Sequence, residues 1–184
     1  SKDFSSYHQY TTANGLLSNN INKINGTDSL LYVGTNLGLN QFTVDHFDTL
    51  LTNYFIKDIE PAGDSLLVAL DSSRQVGLYF QGTLQIIKNG LPYLAKVNDI
   101  ININGNWFCG IGNRWARDYF GEGIGMYDFG NASWTIRKNN GLNSNRITCI
   151  TANEYGVFVA HGARSSVSKG FSWLTNEERW INFT

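Results

Sequence analysis

The chain has 184 residues, 42% of them apolar and only 16% charged, with a formal net charge of −1. That apolar content argues against a disordered segment, and the near-zero charge without a Lys/Arg run argues against nucleic acid or an anionic membrane surface as partner. No apolar stretch approaches the roughly 20 residues of a bilayer-spanning helix, and Ser1-Lys2-Asp3 opens in polar sequence without an apolar leader.

Aromatic residues at 14% and 19 Gly against 2 Pro suit an all-β protein with many tight turns. In chain order, residues 4–12 read as an extra fourth strand. Asn14-Gly15-Leu16 marks a turn, since Asn-Gly tolerates positive φ, and Ile21-x-x-Ile24 opens a first strand. The polar turn Thr27-Asp28-Ser29 leads into a second strand at Leu30-Leu31-Tyr32-Val33, and Gly38-Leu39 with Phe42 opens a third. In the next unit Tyr54 to Ile59 stands where the Asn-Gly-Leu turn would be; Leu66 to Ala69 follows Gly63-Asp64-Ser65, and Gly77-Leu78-Tyr79 opens the third strand. The third unit starts at Asn89-Gly90-Leu91 and continues with Trp107 to Gly110, Gly125-Met126-Tyr127 and Ser133-Trp134-Thr135-Ile136. The fourth starts at Asn140-Gly141-Leu142 and continues with Val157 to Ala160, Gly170-Phe171 and Arg179 to Phe183.

The second strands begin 36, 41 and 50 residues apart. Four short antiparallel strands recurring at that spacing describe β-propeller blades. A sandwich has no need of one Gly-apolar element four times, and solenoids have shorter, more regular periods. The predicted fold is therefore all-β, a β-propeller segment with about four blades, at roughly 13–52, 53–88, 89–138 and 139–184, belonging to a larger propeller. If a ring closed at four blades, residues 4–12 would complete its last blade. Trp134 and Trp180 are expected at equivalent places in their fourth strands, each buried between blades.

No catalytic constellation is visible, so an enzyme is not expected. There is no Gly-x-Ser-x-Gly, His8, His46 and His161 fall in different units without ligand spacing, and no calcium or phosphate loop occurs. No cofactor or metal is expected. Cys109 and Cys149 sit in strand-like runs without CxxC spacing, which reads as two small buried side chains, a disulfide being the alternative.

Function on a propeller is expected in loops carried by the rigid blades. The loops between second and third strands run 35–37, 70–76, 111–124 and 161–169. The third is longest and concentrates Arg114, Trp115, Arg117 and Tyr119. Those residue types stack on sugars, hold anions and anchor protein interfaces. His161 and Arg164 of the fourth loop are expected to join the same patch. A loop folding its aromatics onto its own blade is the alternative for these positions.

The element Asn14-Gly15-Leu16-Leu17-Ser18-Asn19-Asn20-Ile21, followed by Tyr32-Val33-Gly34-Thr35-Asn36-Leu37-Gly38-Leu39-Asn40-Gln41-Phe42, resembles the two-component-regulator type β-propeller repeat. Tyr32 stands where that repeat usually has Trp. The last unit matches in part, with Val159-Ala160-His161-Gly162 in place of the Ile-Gly-Thr portion. Its closing residues look more like PorZ-type proteins of the Bacteroidetes type IX secretion system. The resemblance implies an extracytoplasmic location, in the periplasm or at the cell surface. It implies either a secretion component binding a partner protein or an anionic glycan, or the periplasmic ligand-sensing propeller of a hybrid two-component histidine kinase. A carbohydrate-active enzyme is the third reading. The Bacteroidetes context also makes Asp28-Ser29-Leu30, Asp48-Thr49-Leu50 and Asp64-Ser65-Leu66 candidate O-glycosylation sites, with ordinary turn chemistry as the alternative.

Overall fold

The computed structural model describes residues 7–72, 75–93, 95–113, 123–137, 141–142, 144–162, 170–177 and 179–184. Among the described residues, sixteen strands form four antiparallel four-stranded sheets, each a meander in sequence order, as the repeat predicts. Blade 1 holds β1 (Ile21–Gly26), β2 (Leu31–Thr35), β3 (Gly38–Thr43) and β4 (His46–Thr52). Blade 2 holds β5 (Ile56–Ala62), β6 (Ser65–Leu70), β7 (Val76–Phe80) and β8 (Thr83–Ile86). Blade 3 holds β9 (Ala95–Ile103), β10 (Asn106–Asn113), β11 (Gly123–Asp128) and β12 (Ser133–Arg137). Blade 4 holds β13 (Ile147–Asn153), β14 (Gly156–His161), β15 (Phe171–Thr175) and β16 (Trp180–Phe183).

The strand pairings fix the equivalences between blades. Lys23, Asp58, Asp99 and Cys149 oppose Gly34, Ala69, Gly110 and Ala160. One residue before each, the first strand carries a bulge, at Asn22, Lys57, Asn98 and Thr148. In turn Leu39, Val76, Ile124 and Phe171 oppose those small residues on the third strands. This corrects the third-strand register read from sequence. Gly77 and Gly125 align with Asn40 and Ser172, two residues beyond Gly38 and Gly170; the first two lie under side chains, whereas a Cβ on Gly38 or Gly170 would meet a backbone oxygen, Leu51 O at 2.1 Å or Phe183 O at 1.7 Å. A Cβ on Gly77 would stand 2.5 Å from Leu84 Cδ1, and one on Gly125 2.5 Å from Cys109 Sγ.

The cores lie between blades. Ile56 and Ile59 pack with Tyr32, Leu39 and Leu51 across the first junction; Val97 and Ile100 pack with Leu67, Ala69 and Val76 across the second; Ile147 and Ile150 pack with Ile124 across the third, with Phe108 beside them. The isoleucine pairs of blades 2 and 4 plug into the small residue of the blade before: a Cβ on Gly34 would stand 2.7 Å from Ile56 Cγ2, and one on Gly110 2.5 Å from Ile147 Cγ2.

The Asn-Gly-Leu turns dock on the fourth strand of their own blade. Gly15, Gly90 and Gly141 have φ of 98°, 83° and 85°, which glycine adopts without penalty. They lie against Phe47, Trp134 and Trp180 respectively. Trp134 pairs with Tyr127 and Trp180 with Leu174, so the two tryptophans are equivalent, as expected. Trp134 is buried and donates from Nε1 to Ile87 O at 2.8 Å; Trp180 is half-buried. Asn40 Nδ2 donates to Gly15 O at 3.3 Å, and Asn182 Nδ2 to Gly141 O at 2.8 Å, which ties the turns down. In blade 2 the connection shortens to residues 53–55 and the fourth-strand position is Leu84, opposite Tyr79.

Residues 7–12 do not form the extra fourth strand expected of 4–12; residues 1–6 lie outside the described residues. Thr12–Asn14 is a single 3-10 turn capped by Thr11. Tyr10 instead sets its ring edge-on to Phe42 and Phe47, at 5.1 and 5.5 Å. Tyr10 thereby covers Phe42 and Phe47 of β3 and β4.

Candidate functional site

The first strands of all four blades converge on a cavity of about 660 Å³ whose lining includes Lys23, Asn25, Glu60, Asp99, Asn102 and Cys149. The first strand is an edge of each sheet, which leaves part of its backbone N–H groups outside the ladder, and acids from the preceding blade take them. Ile100 N donates to Asp58 Oδ2 and Ile150 N to Asp99 Oδ2, both at 2.7 Å. Asn102 N donates to Glu60 Oε1 at 3.1 Å, and Asn25 Nδ2 to Glu60 Oε2 at 2.9 Å. The bulge side chains reach forward in the same sense: Asn22 Nδ2 donates to Ile56 O at 2.9 Å and Asn98 Nδ2 to Ile147 O at 2.6 Å. Lys57, the equivalent residue of blade 2, donates to Asn98 Oδ1.

Lys23 supplies the counter-charge, with Nζ 2.6 Å from Asp58 Oδ1 and 3.8 Å from Asp99 Oδ1. Burial and the neighbouring Asp99 carboxylate push Asp58 upward, against the pull of Lys23 and the Ile100 N–H. Burial likewise raises Glu60. Burial, with the Lys96 charge beside it, brings Lys57 down to about 8. These groups are a charge-assisted clamp between blades, and their carboxylates are already occupied by backbone donors. Sequence reading missed them. The signal was present as one offset repeated four times, Ile21-x-Lys23-Ile24, Ile56-x-Asp58-Ile59, Val97-x-Asp99-Ile100 and Ile147-x-Cys149-Ile150.

Both cysteines are free thiols. Cys109 is buried as expected, but Cys149 is exposed, because the inner strand turns it into the cavity. Burial and the Asp99 carboxylate push the Cys149 thiol up to about 11.

Of the residues predicted to bind a ligand, Arg114, Trp115, Arg117, Tyr119 and Arg164 lie outside the described residues. The base of the third loop is closed by the pairing of Ile111 with Gly123. His161 is buried at the end of β14, with Nε2 2.6 Å from Ser172 Oγ. This resembles a nucleophile–base pair, but Ser172 is fully buried and donates onward to Asn182 Oδ1, whose amide holds Gly141 O. The imidazole therefore donates from Nε2; burial lowers its pKa, against the Ser144 backbone. The chain His161–Ser172–Asn182–Gly141 fastens the last turn to blade 4. Among the described residues no His/Cys/Asp/Glu group could hold a metal ion, and no helix is long and apolar enough to cross a membrane.

Repeated meander blades around a common inner cavity define a β-propeller repeat protein. No family model and no curated protein matches the sequence. Among solved structures the chain is similar to the extracellular domain described as that of the hybrid two-component system BT4673 from B. thetaiotaomicron, with a TM-score of 0.61, 20% identity, and coverage of 82% of this chain and 21% of that one. It is similar to PorZ, a bacterial surface component of the type-IX secretion system of Porphyromonas gingivalis, with a TM-score of 0.63, 17% identity, and coverage of 85% and 25%. A chain of the nidogen/laminin complex matches with a TM-score of 0.63, 9% identity, and coverage of 87% and 63%. At these identities the likeness shows the fold. The chain spans about a fifth of the BT4673 chain and a quarter of PorZ.

Proposed function

We propose that this chain is a non-catalytic, extracytoplasmic binding propeller that engages a partner protein or an anionic glycan as a PorZ-like surface component. The observation that carries the reading is the use made of the inner polar groups. Asp58, Asp99 and Glu60 are engaged by backbone donors of the next blade, which is a structural duty. Recognition then falls to the loops, above all the third, where Arg114, Trp115, Arg117 and Tyr119 would anchor a partner, with Arg164 adding charge. The location and the secretion role rest on the likeness to PorZ. The likeness to the BT4673 extracellular domain supports the second reading, ligand sensing for a kinase.

The test is binding of the native chain and the Trp115→Ala/Arg117→Ala double variant to acidic oligosaccharides and to purified surface-complex subunits. Loss of an interface anchor costs about 2 kcal/mol or more, roughly 30-fold in Kd. Unchanged binding with the fold intact would remove the loop from the reading. Saturable binding of a free oligosaccharide, without any protein partner, would favour the sensor.

A further inference from the structure

The three internal junctions follow one plan, and the third departs from it on both faces. On the side of the preceding blade, the outer strand sets a buried aliphatic residue beside the third strand: Leu51 opposite Leu39, and Ile87 bonded through its N–H to Val76 O. Blade 3 has Arg137 there, opposite Ile124 and exposed. On the side of the following blade, a row of side chains across the strands closes the junction. It is Leu66–Tyr79–Leu84 in blade 2 and Trp107–Tyr127–Trp134 in blade 3. In blade 4 the row is Val157–Leu174–Trp180, which lacks the central tyrosine ring and starts with a smaller residue. Between these two faces lies a cavity of about 130 Å³, lined by Phe108, Ile124, Val157, Leu174 and Trp180 together with Arg137. Arg137 is the exposed member of that lining and marks the mouth.

A cavity of about 150 Å³ with apolar walls takes a benzene-sized body, and the ring missing from the row of blade 4 is of that size. Sugar hydroxyls would be buried against such walls without partners, which costs free energy. The mouth adds a cation. Among the described residues no acid pairs with Arg137, and a guanidinium offers a planar fork of donors that matches a carboxylate. An apolar recess the size of one ring, with a cation at its mouth, selects an aromatic ring that carries an acid group one or two bonds away. We propose that the junction of blades 3 and 4 binds a small aromatic carboxylic acid, with its ring beside Leu174 and Trp180 and its carboxylate on Arg137. The site is made by two neighbouring blades and does not rest on the third-loop residues of the reading above.

The test is titration of the 184-residue chain with phenylacetate and with its neutral counterpart 2-phenylethanol, followed by two-dimensional NMR. Phenylacetate is expected to saturate with a Kd of about 1 mM or tighter, shifting the Val157 and Leu174 methyls and the Trp180 indole. Arg137→Gln keeps the cavity and removes the charge, and is expected to weaken phenylacetate about tenfold or more, to the level of 2-phenylethanol. Leu174→Tyr returns the ring that blades 2 and 3 have at this place, and is expected to abolish binding of both compounds. Arg137 is exposed, so Arg137→Gln keeps the native fold and decides the question even where the repacked variant does not fold. Three results each overturn the proposal: no saturation by about 10 mM phenylacetate, shifts that map away from the three named side chains, or equal phenylacetate affinity in wild type and Arg137→Gln.

Discussion

Ile59 and Ile24 are the same residue at the same register position, one inside a blade junction and one on its open equivalent. Truncating each to alanine therefore isolates what the junction contributes. Ile59 is fully buried, and its Cδ1 lies 3.0 Å from where a Cβ on Gly34 would stand, so nothing can collapse into the space without moving the sheet. Ile59→Ala falls in the range of about 2–5 kcal/mol for buried aliphatic truncations. In a chain this long, 1 kcal/mol moves Tm by about 2–4 °C, so a fall of roughly 10 °C is expected. Ile24 is half exposed, so its truncation loses about half the transfer free energy and leaves no closed cavity, about 1 kcal/mol or less. The assay is paired thermal and urea unfolding of the two variants and the wild type. Equal losses, or a larger loss at Ile24, would refute the assignment of the cores to the blade junctions.

Gly90→Ala is expected to cost about 3 kcal/mol or more, because φ is +83° and the new Cβ would stand 2.0 Å from Trp134 O, adding overpacking to backbone strain; Gly105→Ala, at a similar φ with nothing within 4 Å, should cost about 1 kcal/mol, and urea midpoints separate the two. Lys57, held near 8 in the fold against 10.5 ordinarily, binds its proton less readily folded than unfolded, so it contributes a rise in stability as pH goes from 8 to 10.5 and none below; Lys57→Met should flatten that part of the Tm–pH profile relative to wild type. Cys149 should alkylate slowly at pH 7 and faster as pH approaches 11, while Cys109, fully buried with its thiol pushed up by burial, should label only on unfolding; rapid labelling of both at pH 7 would contradict the placement of the inner strands.

The strands were legible because each blade alternates apolar plugs with polar turns, and the Asn-Gly pairs mark where φ turns positive. The third-strand register of blades 2 and 3 was not, because Gly77 and Gly125 imitate Gly38 while serving a different neighbour. Residues 7–12 read as a strand, yet Tyr10 packs edge-on to Phe42 and Phe47. The clamp was hidden because a charged residue in a short apolar strand reads as its solvated face. Only the sheet order, which puts the first strand at an edge beside the next blade, reveals that Asp58 and Asp99 meet N–H groups of that blade. His161 read as a loop ligand because its strand end is set by its pairing with Ile147, more than ten residues away.

The docking of each Asn-Gly-Leu turn on the outer strand of its own blade changes where one module ends and the next begins. The turn precedes the first strand, but its glycine has a place only over Phe47, Trp134 or Trp180, and blade 2, which has the short connection, has Leu84 there instead. Turn and aromatic therefore travel as a pair. A segment duplicated or transplanted by its strands alone, 21–52, would leave the aromatic uncovered and orphan the turn on its neighbour. One cut ahead of the turn, 14–52, carries its own lid, so recombination that respects this boundary could lengthen or shorten the array one blade at a time without repair elsewhere.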